Sequence, residues 1–315
     1  MMDAEHQKIG LPQLSLRQLH YALAAAEAGN VTAAARRLNV SQPAISAAIS
    51  ALESHYGTPL FTRQHGQGVG LTGFGRALFP EVRNLLKEAA GISGFGKAER
   101  PIAGEVTLAI YEALAPYYLP ALLARLEKEL PSLRIRYRED TLDGMLSGLK
   151  EGSADLAITY DVGIDAGFTV TTLYDLQPFI LMRSSHALAR KPAVRLKELQ
   201  RECLVLLDQP ASANYVLGLL HGHGVEPRSI LRAGSFELQR SFVAHGMGVA
   251  LSHTRPRIDA AYDGKRLAVK PVADSLPPQR VLLASAKRHR ATRAAEAAAE
   301  AITRHFTLLP RPDAA

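Results

Sequence analysis

The chain is poor in the features that most quickly declare a function. It has one cysteine, Cys203, in 315 residues. A disulfide framework within the chain is therefore excluded, and so is a cysteine-rich structural zinc site. A redox switch built from two cysteines of one chain is excluded with them. No run of about 18 apolar residues occurs, so no membrane span is expected. The N-terminal MMDAEHQKIG has neither the charged start nor the apolar run of a signal peptide. These absences predict a cytoplasmic, reducing setting. Charge of one sign is scarce too: 37 Lys and Arg stand against 30 Asp and Glu, a formal net charge of +7. That is a mild pointer to a polyanionic partner and no more. What is present is apolar content, 47% against 21% charged, which rules out global disorder. The length suits a full core and roughly two domains of about 100–200 residues each.

The first part of the chain reads as helices with short turns. Leu16, Leu19, Leu23 and Ala26 recur at spacings that place them on one helix face, and Leu38, Ile45, Ile49 and Leu52 do the same further on. The connections, Gly29-Asn30 and Asn39-Val40-Ser41, are so short that the helices must pack as neighbours. The glycine-rich stretch from Thr62 to Leu71 predicts a hairpin tip, and Thr72 a helix N-cap. Leu78, Val82, Leu85, Ala89 and Ile92 then follow heptad spacing. A helix paired with another helix and a helix buried within one chain both fit that run. Gly91, Gly94 and Gly96 are expected to end it, and the run to Gly104 reads as a hinge.

Residues 31–54 carry the recognition chemistry. Thr32 is expected to cap one short helix, and Ala33, Ala34 and Ala35 allow close helix approach. Ser41 is expected to cap the next helix, with Pro43 in its first turn. Ile45, Ile49 and Leu52 bury one face; Gln42, Ala44, Ser46, Ala47 and Ser50 form the other. Short polar and apolar side chains of this kind suit a major groove, where Gln reads adenine and Ser or Ala meets base edges or a thymine methyl. Ser41 and the first-turn N–H groups suit a phosphate. The helix holds no Lys or Arg, however, and a three-helix unit with no DNA role has the same periodicity.

From residue 104 strands and helices alternate: Glu105–Ile110, Leu119–Leu130, Leu133–Arg138, Leu142–Leu149 and Ala154–Thr159. This predicts βαβ units and a mainly parallel sheet. Further strands are expected at Phe179–Met182, Leu204–Leu207, Val249–Leu251 and Arg280–Ala284, with a last helix over Thr292–Phe306.

The short stretches Leu16-Arg17-Gln18-Leu19, Ala33 to Leu38, Val40 to Ser46, Leu52-Glu53, Gly57 to Arg63 and Leu71-Thr72, in that order and spacing, resemble the N-terminal region of LysR-type transcriptional regulators. The resemblance continues through Ala115-Pro116, Gly152 to Ala157 and Gly246 to Val249, and so covers nearly the whole chain. It implies a fold class: an N-terminal all-α winged helix-turn-helix with a long linker helix, then a C-terminal α/β two-lobed domain like a periplasmic binding protein. The expected divisions are 1–71 for DNA binding, 72–100 for the linker and dimerisation helix with its hinge, and 101–315 for the effector domain. Lobe I would take about 101–176 and 271–306, and lobe II about 177–270. The resemblance implies a homodimer or homotetramer that switches transcription when a small molecule enters the cleft. It makes Gln42, Pro43, Ala44, Ser46 and Ser50 the groove-facing set, Arg63 and His65 part of the wing, and Thr32, Arg36 and Ser41 backbone contacts. Contact with RNA polymerase is a further expectation. One departure is Ala47-Ala48, where many members carry a basic residue. Residues 14–71 hold Arg17, Arg36, Arg37 and Arg63 against Glu27 and Glu53, a net +2, so a modest affinity per subunit and a shallow salt dependence are expected.

A cleft in such a fold lies at the carboxyl ends of parallel strands. Candidates there are Tyr111, Glu112 and Ala113; Thr141; Thr159 and Asp161; Asp208 and Ser212; and Phe236 with Glu237. Tyr111 and Ala113 stand where many members have Ser and Thr for an effector carboxylate. Glu112 either faces the cleft or caps the following helix. Glu112, Asp161, Asp208 and Glu237 around one cleft would favour an amine- or amide-bearing effector over a simple carboxylate. Other features favour plainer readings: Cys203 as a core thiol, His221 and His223 as a solvated turn rather than a metal pair, and His245 without a nucleophile beside it. No catalytic residue, metal or cofactor is assigned. A cytoplasmic binding protein or enzyme with a vestigial DNA-binding module is the alternative, and a sequence-blind DNA binder would need many more basic residues.

Overall fold

The computed structural model describes residues 14–64, 68–92, 102–255, 258–288 and 291–309. It divides into two compact units, Met1–Ala98 and Glu99–Ala315.

In the first unit, α1 (Leu16–Ala28) opens on a capping box. Ser15 Oγ accepts from Gln18 N at 3.2 Å, and Gln18 Oε1 accepts from Ser15 N at 2.9 Å. α2 (Val31–Leu38) is capped by Asn30, whose Oδ1 accepts from Thr32 N at 2.8 Å and Ala33 N at 3.0 Å. The cap expected at Thr32 therefore sits two residues earlier, because the amide oxygen of Asn30 already serves both free N–H groups. Asn39 ends α2 at φ 54°, a left-handed conformation that Asn tolerates. α3 (Gln42–Tyr56) starts after Ser41, with Pro43 in its first turn. Ser41 takes the cap position, but its side chain makes no capping bond.

The hairpin of β1 (Phe61–Gln64) and β2 (Gly68–Leu71) follows, with Gln64 paired to Gly68. Val69 N donates to Gly29 O at 2.8 Å, so the hairpin sits on the α1–α2 turn. A Cβ on Gly68, at φ 96°, would lie 2.3 Å from that same oxygen, so glycine is required there. α4 (Gly73–Ile92) begins after Thr72, whose Oγ1 accepts from Gly75 N at 3.0 Å and donates to Pro59 O at 2.8 Å. Leu19, Leu23, Ile45, Leu52, Phe79 and Val82 share one core. The heptad run on α4 divides: Val82 is buried, Leu78 packs against the core, and Leu85 is 45% exposed. Gly91 continues the helix rather than ending it. The stop expected at Gly94 and Gly96, and the hinge up to Pro101, lie outside the described residues.

The second unit runs β3 (Gly104–Tyr111), α5 (Ala115–Glu129), β4 (Leu133–Asp140), α6 (Leu142–Lys150), β5 (Leu156–Tyr160), β6 (Phe168–Leu176) and β7 (Phe179–Arg183). Then come β8 (Cys203–Leu207), α7 (Pro210–Gly222), β9 (Ser229–Ala233), α8 (Phe236–Ala244), β10 (Ala250–Ser252), β11 (Leu267–Pro271), β12 (Gln279–Ala286) and α9 (Arg293–Thr307). One lobe is a five-stranded sheet in the order β4-β3-β5-β12-β6. β3 pairs in parallel with β4 and β5, but β12 is antiparallel to β5 and β6. The sheet is thus mixed rather than mainly parallel, because β12 re-enters after the excursion through the other lobe. That second lobe holds the antiparallel sheet β10-β7-β11 and the parallel pair β8-β9. The chain crosses between the lobes at 177–178 and at 272–278. Separate cores form in each: Leu108, Leu122, Leu126 and Ile158 in the first, Ile180, Leu204 and Leu251 in the second. Among the described residues no helix is long and apolar enough to cross a membrane.

Candidate functional sites

On α3 the side chains divide by face. Ile45 and Leu52 are fully buried, and Ala48 and Ile49 lie beside them. Gln42, Pro43, Ser46, Ala47 and Ser50 are exposed on the other side, with Ala44 half-buried between the two. The exposed face is therefore short, uncharged and free to meet a groove. Ser41 is exposed as well, with no capping bond to occupy its hydroxyl. On α2, Thr32 and Arg36 are exposed. Arg37 pairs with Glu27 at 3.1 Å, whereas Arg36 makes no ion pair among the described residues. Glu53 Oε1 accepts from Leu60 N at 2.8 Å and Phe61 N at 3.3 Å, tying α3 to the start of the hairpin. Arg63 lies on β1, in register with Val69; His65 falls outside the described residues.

In the second unit a cavity of about 40 Å³ lies between the two lobes, room for a few water molecules. Of the ten effector candidates, Tyr111, Ala113, Ser212 and Phe236 line it. The other six do not, and each has a physical reason. Thr159 is fully buried in the sheet, and its hydroxyl donates to Tyr160 O at 3.2 Å. Thr141 caps α6, accepting from Gly144 N at 3.2 Å. Asp161 accepts from Gln279 Nε2 and from Arg280 Nε at 2.6 Å. Asp208 is exposed and pairs with Arg232 at 3.1 Å. Glu237 pairs with Arg240 at 3.1 Å and accepts from Tyr117 OH at 3.5 Å. Glu112 neither caps α5, whose cap is Leu114, nor lines the cavity. It accepts from Gln209 Nε2 instead. The expected ring of four free acids is therefore absent, since none of the four lines the cavity and each is engaged through at least one oxygen, although Glu237 Oε2 is buried without a partner.

The cavity wall is aromatic and neutral. Tyr111 donates to Gln209 Oε1 at 3.1 Å, and burial pushes its phenol up to about 12. Tyr160, 5.4 Å from the Tyr111 ring, is hydrogen-bonded to Thr254 across the lobes, and burial raises its pKa too. His253 lies 5.7 Å from the ring of Tyr215. Burial lowers its pKa to about 4, so the imidazole is neutral near pH 7, and its Nε2 is buried without a hydrogen-bond partner. Gln239, which backs the cavity, donates to Val205 O at 2.7 Å.

Two family models match this arrangement. The "LysR substrate binding domain" model covers residues 99–307, and the model of the bacterial regulatory helix-turn-helix protein, lysR family, covers residues 16–76. The chain belongs to the LysR family. It is a ligand-responsive transcriptional regulator with a helix-turn-helix DNA-binding domain and a substrate-binding domain. The chain is 32% identical to the HTH-type transcriptional regulator TfdS of Cupriavidus pinatubonensis over 76% of its own length and 82% of that protein. It matches the crystal structure of HinK, a LysR family regulator from Pseudomonas aeruginosa, at 29% identity and a TM-score of 0.63, covering 93% of this chain and 99% of that one. A full-length OxyR variant from Pseudomonas aeruginosa, 23% identical, shares the fold at a TM-score of 0.76, over 94% of this chain and 95% of that one.

For this LysR-family chain, sequence reasoning missed Tyr215, Gln239, His253, Thr254 and Gln279 in the cavity wall. His253 and Thr254 follow β10 directly, so the carboxyl-end rule applied to that strand would have found them. Tyr215 sits inside α7 and Gln239 inside α8, away from the loops at strand ends. Cys203 opens β8 half-buried, more accessible than a core thiol. His223 caps α7, its Nδ1 2.8 Å from Leu219 O; His245 caps α8 and pairs with Asp263 at 3.2 Å.

Proposed function

We propose that α3 is the reading helix, laying Gln42, Pro43, Ala44, Ser46 and Ser50 in the major groove of promoter DNA. Ser41 and the first-turn amides hold a phosphate, and Thr32 and Arg36 contact the backbone. Arg63 and His65 belong to a wing against the flanking duplex. The observation that carries this reading is the division of α3 into a fully buried face and an exposed face of small, uncharged side chains. Residues 1–71 form the DNA-binding part and 72–100 the linker and hinge. The effector domain spans 101–315, with lobes near 101–176 plus 271–306 and near 177–270. Leu85, exposed on α4, supports homo-oligomer formation through that helix. The effector enters the inter-lobe cavity and is bound without catalysis, and the protein works in the cytoplasm, where contact with RNA polymerase relays the signal. The paired acids remove the support for a simple amine effector, while the neutral donors and acceptors of the wall suit an amide. Footprinting on an inverted repeat beside a divergent promoter tests the DNA assignment. Protection is expected for the wild-type chain and its loss for Ser46→Asp, with the helical circular dichroism unchanged. Equal protection by Ser46→Asp would overturn it.

A further inference from the structure

We propose that the cavity selects an uncharged, ring-bearing ligand that presents an amide or hydroxyl group to His253, and that a net charge on the ligand excludes it. This rests on the reading of the cavity as the effector site. Among the described residues no Asp, Glu, Lys or Arg lines the cavity. Of the acids that flank its lining residues, Asp161 is engaged by Gln279 and Arg280 and Glu112 by Gln209, while Glu237 pairs with Arg240 through Oε1 and lies outside the wall, its Oε2 buried without a hydrogen-bond partner. A carboxylate entering here would lose its hydration and meet only neutral donors, and an ammonium would find no carboxylate in the wall.

A neutral polar ligand meets the opposite situation. His253 Nε2 is buried in the cavity wall with no partner, a state that costs free energy until something bonds to it. Tyr111, Tyr160, Tyr215 and Phe236 supply aromatic surface for a ring. The imidazole is kept neutral by burial, so it offers a hydrogen bond and no countercharge. A ring needs more space than the few water molecules for which the cavity has room. The Tyr160–Thr254 hydrogen bond joins the two lobes at the cavity wall, so a ring that enters is expected to part the lobes and break it.

The test uses the full chain with benzamide, benzoate and benzylamine, matched in shape and different in charge, at pH 7.5. Benzamide in tenfold excess over its Kd is expected to raise Tm by about 2–5 °C. By calorimetry, benzoate and benzylamine should bind about tenfold more weakly or worse. His253→Leu should weaken benzamide by about tenfold, and His253→Gln, which restores a neutral amide, should recover most of that loss. If His253→Leu does not fold, the ranking on the wild-type chain decides alone. Binding of either charged compound as tightly as benzamide, or of none of the three, overturns the proposal. Ala113→Leu narrows the cavity and separates the two levels of inference. If a charged compound binds best and Ala113→Leu abolishes it, the charge rule fails and the cavity stands. If benzamide binds Ala113→Leu and the wild type equally, the cavity itself is the wrong site.

Discussion

At the residue scale, a neutral imidazole in the cavity wall sets how stability responds to acid. Burial holds His253 at about 4, against 6.5 for an ordinary imidazole. Below pH 6.5 the unfolded chain therefore takes up a proton that the folded chain refuses. The contribution is complete above pH 6.5 and is lost as pH falls toward 4, about 3 kcal/mol in all. Urea unfolding from pH 7.5 to 4.5 should show that loss in the wild-type chain and a flatter profile in His253→Leu; parallel profiles would contradict it. Leu52 is fully buried in the helical core, so Leu52→Ala should cost about 2–5 kcal/mol in the same assay. Residue by residue, what could be read in advance depended on whether the cue was local. Thr72, Ile45 and Leu52 announce themselves by spacing. Asn30 displaced Thr32 because the choice of cap turns on which side chain reaches the free amides. The fate of Glu112 and Asp161 was not readable, since their partners are fixed by tertiary packing, Gln209 for one and Arg280 for the other, both far away in the chain, whereas the partner of Glu237, Arg240, lies one turn on in the same helix.

At the scale of elements, the helices were legible because amphipathic periodicity is a strong signal and their caps are chemical. The strands were legible where they are apolar, as in β3, β5 and β7. β6, β9 and β11 were missed because their chemistry hides them. β6 is mostly exposed and rich in Thr, β9 carries Ser and Arg, and β11 ends in Lys270-Pro271. The antiparallel entry of β12 was equally hidden, since the strand pattern alone does not encode direction. For α4, the split between buried Val82 and exposed Leu85 makes a clear prediction. Leu85→Glu should shift the chain toward monomer in sedimentation velocity while leaving Tm within about 2 °C, because a surface change in the single chain costs within about ±0.5 kcal/mol. A monomer equilibrium unchanged by the substitution would remove α4 from the oligomer interface.

At the scale of the whole molecule, the charge that first suggested a nucleic-acid partner is weak evidence for one. Glu27 occupies Arg37, and Glu53 is spent on the backbone of the hairpin, so Arg36 is the exposed cation of α2 that remains for phosphate. The salt dependence of DNA binding should be shallow, and Arg36→Ala should lower its log–log slope by about one per subunit while leaving the preferred sequence unchanged. Sequence preference should instead reside on the uncharged face of α3. The most direct test is selection of the full-length protein on random duplexes, followed by the same selection with Gln42→Ala. The wild-type chain should enrich an inverted repeat, and Gln42→Ala should lose preference at one base pair in each half-site while keeping the others. Enrichment of no sequence by the wild type, or of an identical one by Gln42→Ala, would contradict the assignment of α3 as the helix that reads DNA.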